Sequence, residues 1–217
     1  MDVETMQKPI RNRLLGVCAA VLLLAGTTAH AALLNTGTTL FPAPAEANPS
    51  PGATQVTSIT VPFASPGAFT GSLTSTVFTN DTTNPFGSNR LTFVYQLSNA
   101  AASNNVLARL VLDSFGGFQA DASYQTGTGV APTLIDRLTN PDIGFSFLGG
   151  GTNPGPLRPG DTSARLVVQT NATLFGASNG SVIDGAQVNV SALGPFVPEP
   201  ASLGVIALAG LALIRRR

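Results

Sequence analysis

The acidic side chains between residues 32 and 197 are the first candidates for chemistry in this chain. Two carboxylates that face one glycosidic bond hydrolyse a polysaccharide, and carboxylate oxygens alone suffice for Ca²⁺. Nearly all of them lie in or beside predicted turns, where a carboxylate accepts hydrogen bonds from nearby backbone N–H groups. We therefore predict turn capping at each position and no catalytic residue. The eight residues are Glu46, Asp81, Asp113, Asp121, Asp136, Asp142, Asp161 and Asp184.

Two groups combine an Asp with a nearby Asn and are the candidates for calcium. Asp81 lies near Asn80 and Asn84, and Asp142 lies near Asn140. Neither group has the Asp-x-Asp-x-Asp-Gly pattern of a calcium-binding loop. We predict no metal site and no cofactor, and keep a calcium-dependent binding module as an alternative.

The side chains on which most enzymes and metal sites depend are confined to the first thirty positions. If that segment is removed, the remaining chain has no thiolate nucleophile, imidazole base or Schiff-base lysine. Zinc, copper and haem sites built on His or Cys are excluded as well. The composition therefore predicts a protein that is not an enzyme. The residues concerned are Met1, Met6, Lys8, Cys18 and His30.

The remaining cations and aromatic side chains give no sign of a charged ligand. The formal net charge is zero, so we expect no nucleic-acid partner. Tyr95 and Tyr124 are candidates for stacking on a sugar, but both are in phase with Phe on predicted strands, which favours burial in the core. Five arginines are scattered singly, which predicts pairing with Asp or solvation, and these are Arg90, Arg109, Arg137, Arg158 and Arg165.

Short segments of alternating polarity dominate the region that carries these side chains, and they predict β-strands. The clearest is 90–98, where Phe93 and Tyr95 share one face. Residues 106–113 are apolar on both faces apart from Arg109, which predicts a central strand covered by a second sheet. The other predicted strands are 55–63, 69–78, 118–124, 143–147, 165–170 and 187–193.

Turn signals separate the predicted strands. Asn-Gly and Asp-Gly are preferred in tight hairpins because both central residues tolerate positive φ. Gly-rich or Pro-Gly turns are predicted at 116–117, 127–129, 149–151, 159–160, 179–180 and 184–185. This pattern predicts an all-β fold, an antiparallel β-sandwich of about 8–9 strands over residues 55–196. Residues 32–54 are rich in Pro and Ala and predict an extended or poorly ordered lead-in.

The first 31 residues have the organisation of a secretory signal peptide. A basic start precedes a short apolar run, and Ala29 and Ala31 supply the small residues of a cleavage site. We predict a signal helix, export by the secretion machinery, and cleavage by signal peptidase after Ala31, so that Ala32 begins the mature chain. The alternatives are an uncleaved anchor and, more weakly, a lipoprotein attached at Cys18.

The last segment, 197–217, has three parts. Pro198, Glu199 and Pro200 come first, and two prolines around one acid stay extended and exposed. An apolar run over 201–214 follows. As a helix it spans about 21 Å, short of the roughly 30 Å hydrocarbon core. A basic cluster comes last and is expected to stay cytoplasmic, which retains the segment in the membrane, and it consists of Arg215, Arg216 and Arg217.

This three-part segment resembles the PEP-CTERM sorting signal of bacterial exported proteins. The resemblance covers 197–217. In that family the signal is recognised by exosortase, a membrane-embedded enzyme similar to cysteine transpeptidases, and is cut near the motif. The resemblance implies that Pro198, Glu199 and Pro200 are recognised residues and that an exosortase is a partner. It also implies bacteria that make exopolysaccharide, so extracellular polysaccharide is a second expected partner.

The expected protein is exported to the cell envelope or the extracellular matrix and attached to the membrane through 201–214, at least before processing. Its sandwich is expected to have a structural or interaction role. The alternatives are a carbohydrate- or calcium-dependent binding module, a surface protein that stays anchored at its C-terminus, and a hydrolase with paired Asp residues. A GPI signal fits poorly, because its hydrophobic tail does not normally end in three arginines.

Overall fold

The computed structural model describes residues 32–46, 52–139, 141–149 and 155–197. These ranges contain thirteen strands, β1 to β13 in chain order, and no helix. It follows that no helix capable of crossing a membrane occurs in them. The signal helix and the apolar helix that the sequence predicts lie outside the described residues.

The first sheet has seven strands. Neighbours along its main path are antiparallel, and one further strand, β3 (Ala45–Glu46), runs parallel to β8 at the same edge as β1. The order along the path is β1 (Ala32–Leu33), β8 (Ala120–Gln125), β11 (Arg165–Thr170), β6 (Thr92–Asn99), β5 (Phe69–Thr79) and β4 (Thr54–Ser65).

The second sheet has six strands and is antiparallel throughout. Its order is β13 (Ala186–Pro195), β12 (Phe175–Asp184), β7 (Arg109–Leu112), β10 (Ile143–Ser146), β9 (Leu134–Arg137) and β2 (Thr38–Leu40). The strand predicted at 106–113 is thus found as β7 in the interior of this sheet, as its apolar faces indicate.

One hydrophobic core lies between the two sheets, as in a β-sandwich. Period-two alternation turns Phe93 and Tyr95 of β6 inward, where they pack with Leu110 of β7. The Tyr95 hydroxyl donates a 2.6 Å hydrogen bond to the backbone oxygen of Leu193, which joins β6 to β13 across the core. The predicted burial of Tyr95 is confirmed, and Tyr124 packs half-buried against the same core.

All eight strands that the alternation predicts are present, but the strand count of 8–9 is too low. The largest miss is β12, because the Asn179-Gly180 pair was predicted to be a hairpin turn. Gly180 instead pairs with Leu112 on one side and Val190 on the other. The Asp184-Gly185 turn is confirmed: Gly185 has φ of 65° and joins β12 to β13.

The segment predicted as a lead-in contributes three short strands to the sheets. β1 and β3 pair with β8 of the first sheet, while β2 pairs with β9 of the second. The chain therefore crosses between the sheets and covers the β8 edge of the first and the β9 edge of the second. The buried guanidinium of Arg137 helps to hold this crossing. It donates to the backbone oxygens of Leu34, Phe115 and Phe118.

Candidate functional site

The residues that the sequence predicts for processing flank the described strands. Ala32, the predicted first mature residue, begins β1 and pairs with Ala122. At the other end β13 stops at Pro195, three positions before the motif. The remaining predicted residues lie outside the described ranges, and these are Ala29, Ala31, Pro198, Glu199, Pro200, Arg215, Arg216 and Arg217.

After β13 the chain continues beside the start of β12. The backbone N–H of Phe196 donates a 3.0 Å bond to the backbone oxygen of Leu174. The Phe196 ring lies against Gly176, where an added Cβ would come within 3.3 Å of it. Leu174, Phe196 and Val197 are nevertheless about half exposed. An apolar surface therefore adjoins the position at which the predicted sorting segment begins.

Asp81, in the first of the calcium candidates, is fully buried and has four hydrogen-bond donors. Its Oδ1 accepts from the backbone N–H and the hydroxyl of Thr83, at 2.9 and 2.7 Å. Its Oδ2 accepts from Thr92 Oγ1 at 2.7 Å and Gln169 Nε2 at 3.1 Å. Burial raises the pKa of Asp81, but these hydrogen bonds outweigh it and lower the pKa.

Asn84 completes the same loop. Its Nδ2 is 3.3 Å from each of three oxygens, which belong to β6, to β11 and to the residue just before β6, and its Oδ1 accepts from the backbone N–H of Phe86 at 2.9 Å. The oxygens proposed for calcium are therefore already engaged in fixing the loop over the first sheet. The predicted turn capping is confirmed for Asp81, which accepts the backbone N–H of Thr83.

The other acidic residues divide between turns and strands. Asp161 Oδ2 caps a turn by accepting the backbone N–H of Arg158 at 2.8 Å. Asp142 Oδ2 accepts from Thr139 Oγ1 at 3.3 Å, while Asn140, its predicted calcium partner, lies outside the described residues. Burial and the charge of Asp142 raise the pKa of Asp113.

Turn capping is the wrong prediction for Asp136. It lies in β9, and both of its carboxylate oxygens accept from Arg109 on β7, at 2.6 and 2.8 Å. Gly144 of β10 makes room for this ion pair, because an added Cβ there would collide with the guanidinium. The predicted pairing of a scattered arginine with an Asp is confirmed for Arg109.

Turn capping is also wrong for Glu46 and Asp121, which the fold brings together. Alternation along β8 places Asp121, Ser123 and Gln125 on the outer face, and β3 places Glu46 opposite Gln125. The Ser123 hydroxyl donates a 2.7 Å hydrogen bond to Glu46 Oε2. We refer to these four residues, Glu46, Asp121, Ser123 and Gln125, as the carboxylate–amide cluster.

The two carboxylates of this cluster interact electrostatically. Glu46 and Asp121 are each only 6% exposed. Burial, together with the charge of Glu46 and despite a backbone hydrogen bond from Ala122, raises the pKa of Asp121 to about 6. The alternation of residues 121–125 could have shown that these side chains share a face. No local pattern could have shown Glu46 beside them, because it is distant in sequence.

A groove of about 320 Å³ crosses the same outer face nearer β4. The hydroxyls of Thr74 and Thr76 are bonded to Thr60 and Ser58 on β4, each at 2.8 Å. The lining combines amides, hydroxyls, a guanidinium and one aromatic ring, which are groups that bind sugars in many proteins. The groove is lined by Gln55, Thr74, Thr76, Phe78, Val94, Gln96 and Arg165.

Comparison with known proteins returns no match, whether to a family model, to a curated protein or to a solved structure. Any assignment of function therefore depends on the side chains described above and on the resemblance of the C-terminal segment.

Proposed function

We propose that this chain is an exported, non-enzymatic protein of the cell surface or extracellular matrix. Its C-terminal segment is recognised at Pro198, Glu199 and Pro200 and is cut there by an exosortase-type enzyme. The observation that carries the proposal is the order of three features in 197–217, which are the Pro-Glu-Pro motif, an apolar run too short for a stable anchor, and a basic cluster.

The positions of the strands support this proposal. A processing enzyme needs an extended substrate that is accessible outside the fold. Strand β13 ends at Pro195, and Phe196 and Val197, which follow it, are about half exposed. At the other end, β1 begins at Ala32, next to the predicted signal-peptidase site. The thirteen described strands thus lie between the two predicted processing sites.

A structural role for the sandwich is supported by its chemistry. The only Cys, His and Lys, which would supply a thiolate nucleophile, an imidazole base and a Schiff-base amine, lie in the first thirty positions. Asp81 and Asp136 are bonded to neighbouring side chains, which favours a structural role for both carboxylates. The partners are then the secretion machinery, signal peptidase, an exosortase and the membrane.

The test compares a producing strain with the same strain lacking its exosortase gene. In the wild type, we expect immunoblots to find a shortened protein outside the cell. Without the exosortase, or in a Pro198→Ala/Pro200→Ala variant, we expect a longer protein in the membrane fraction. Val197→Ala is the matched control, since it changes an exposed neighbour of the motif, and its processing should be normal. Equal lengths in both strains would instead favour a permanent C-terminal anchor.

A second candidate function is binding of extracellular polysaccharide, and the groove on the first sheet favours it. Arg165 and Gln55 line its rim and present donors to sugar hydroxyls. We expect the protein to be retained on a column of the producer's exopolysaccharide, and Arg165→Ala to weaken retention several-fold. Arg90→Ala, which lies outside the groove, is the control. Elution of all three proteins in the void volume would exclude this function.

A further inference from the structure

The large apolar side chains that are exposed in the described ranges are concentrated at one end of the sandwich. β13, β7 and β9 run in the same direction, because each neighbour in the order β13-β12-β7-β10-β9 is antiparallel. We refer to the end at which these three strands finish as the exit end. The first sheet meets it where Arg137, the last residue of β9, donates to the backbone oxygen of Leu34. Most of the exposed apolar side chains lie at the exit end, and these are Leu33, Leu138, Leu174, Phe196 and Val197.

The corner formed by β12 and β13 projects beyond the other strands of the second sheet at the exit end. Asn189 of β13 and Asp136 of β9 belong to one row of paired residues across this sheet. From that row the chain continues for seven residues to Phe196 but for only two to Leu138. At 3.3 Å per residue the corner therefore projects roughly 16 Å beyond Leu138. Leu174 and Phe196, which a backbone hydrogen bond of 3.0 Å joins, lie at this corner.

The corner is apolar and carries no charge of its own. The segments that build it, 171–183 and 185–197, contain no charged residue. Its two large apolar side chains are each 47% exposed. Phe175 packs against the core, so alternation places Gly176 and the Phe196 ring beside it on the outer face of the sheet. Such a surface can enter a medium of low polarity without removing an ion from water.

The length of chain beyond the corner limits its distance from the apolar run 201–214. Val197 and Ala201 are four residues apart in the sequence, so their separation is at most about 14 Å. As a helix the run is about 9 Å shorter than the hydrocarbon core of a bilayer. A run that is too short thins the bilayer locally, which brings the membrane surface closer to the residues before it. Insertion of the run therefore holds the corner at the membrane surface.

From this placement we propose that the corner of β12 and β13 lies against the phospholipid surface, with Leu174 and Phe196 among the lipid headgroups. The inference rests on the proposed membrane attachment through 201–214 and adds the orientation of the sandwich. Apolar side chains bind at the boundary between headgroups and acyl chains, and this contact needs no anionic lipid. The partly exposed charged side chains at the exit end have no positive excess that would favour such a lipid, and these are Arg90, Asp113 and Asp142.

The test places a fluorescent label on the full chain in phosphatidylcholine vesicles that contain a lipid with a nitroxide on its headgroup. Cys18→Ser removes the only native Cys, so Leu174→Cys in that background takes the label alone. We expect the nitroxide to quench the label at this position. High salt should leave the quenching unchanged, because salt screens charges and not apolar contacts. Flotation of the vesicles reports separately whether the chain is attached, and no exosortase is present, so the result does not depend on processing.

Leu148→Cys in the same background is the matched control. Leu148 is an exposed leucine that follows β10, which runs opposite to β13, so it lies at the other end of the same sheet. Its label should not be quenched. A floating protein with equal quenching, or none, at the two positions would overturn the orientation and leave the attachment intact. Loss of the quenching at high salt would also overturn it, since the contact would then depend on charge. A protein that does not float would contradict both the attachment and the orientation.

Discussion

Two buried carboxylates on the same face of one sheet have opposite electrostatic behaviour. Asp81 has a lowered pKa because four donors fill its oxygens. Asp121 has a pKa raised to about 6, since it is buried beside Glu46 and its Oδ1 has no donor in the described residues. The comparison shows that burial alone does not define a carboxylate's role. One filled with hydrogen bonds fixes a loop, whereas one that lacks donors and lies beside a second carboxylate keeps its proton to a higher pH.

The largest expected difference is between two matched truncations, Asp81→Ala and Asp121→Ala. The first leaves buried donors from Thr83, Thr92 and Gln169 without an acceptor, so we expect a loss of about 3 kcal/mol in the free energy of unfolding. The second removes an unsatisfied charge, so in EDTA we expect a loss below about 1 kcal/mol or a gain. Urea denaturation of both variants measures the difference. Equal losses in the two variants would show that Asp81 and Asp121 do not differ in their contribution to stability.

The dependence of stability on pH separates the same residues. The pKa of Asp121 is raised in the folded state, so that state binds the proton more tightly. Its contribution to the free energy of unfolding therefore falls as the pH rises from about 4 to 6, by about 3 kcal/mol at 1.4 kcal/mol per pKa unit. The pKa of Asp81 is lowered, so its contribution is present above pH 4 and is lost as the pH falls further.

Asp121→Asn should abolish the fall in the free energy of unfolding between pH 4 and 6, but it should keep the loss of stability below pH 4, which we call the acid limb. Urea denaturation in EDTA at half-unit steps of pH measures both parts of this pH profile. A wild-type stability that rises steadily from pH 4 to 6, with the same slope in the variant, would show that Asp121 does not retain a proton there.

Gln169 links the two regions, and its replacement should have an intermediate effect. Gln169→Met keeps the length of the side chain but removes the donors to Asp81 and Thr83, at 3.1 and 2.8 Å. We expect a loss of about 2 kcal/mol and a shift of the acid limb to higher pH. Gln96→Met is the control, since the Gln96 amide donates only to backbone oxygens, and it should leave the acid limb in place. An acid limb that shifts in both variants would show that the shift does not come from the hydrogen bond between Gln169 and Asp81.

The smallest effect is expected from Ser123→Ala. It removes one hydrogen bond to Glu46, so we expect a loss of about 1 kcal/mol in the free energy of unfolding at pH 7. Urea denaturation at pH 7 measures this loss. A loss as large as that of Asp81→Ala would contradict the account, because one hydrogen bond would then contribute as much as four.

Periodicity in the sequence predicted most of the described fold, since strands of four or more residues can show their alternation or their apolar character. All eight predicted strands are present, and Tyr95 is in the core as expected. The short strands β1 to β3 could not be predicted, because two or three residues show no period. Strand β9 was also missed, since its four residues, two apolar and then two charged, show no alternation. β12 was missed because Asn179-Gly180 is a frequent turn pair, and here the pairing of β12 with β7 and β13 outweighs that local preference.

The candidate sites were less predictable than the strands. The Asp81 loop was visible in the sequence as a local group of oxygen-bearing residues. Its structural role depends on hydrogen-bond donors from β6 and β11, which the sequence does not show. The carboxylate–amide cluster was invisible, because Glu46 meets Asp121 only through the pairing of β3 with β8. The motif at 198–200, in contrast, is recognisable from sequence alone because its resemblance is local.

The mass of the protein recovered from outside the cell tests the proposed export and processing most directly. Intact mass spectrometry of the protein released by an exosortase-positive producer should give a chain that begins at Ala32 and ends near Pro198. A released chain that still includes 201–217 would contradict the proposal, and so would a chain found only in the membrane fraction that begins before Ala32.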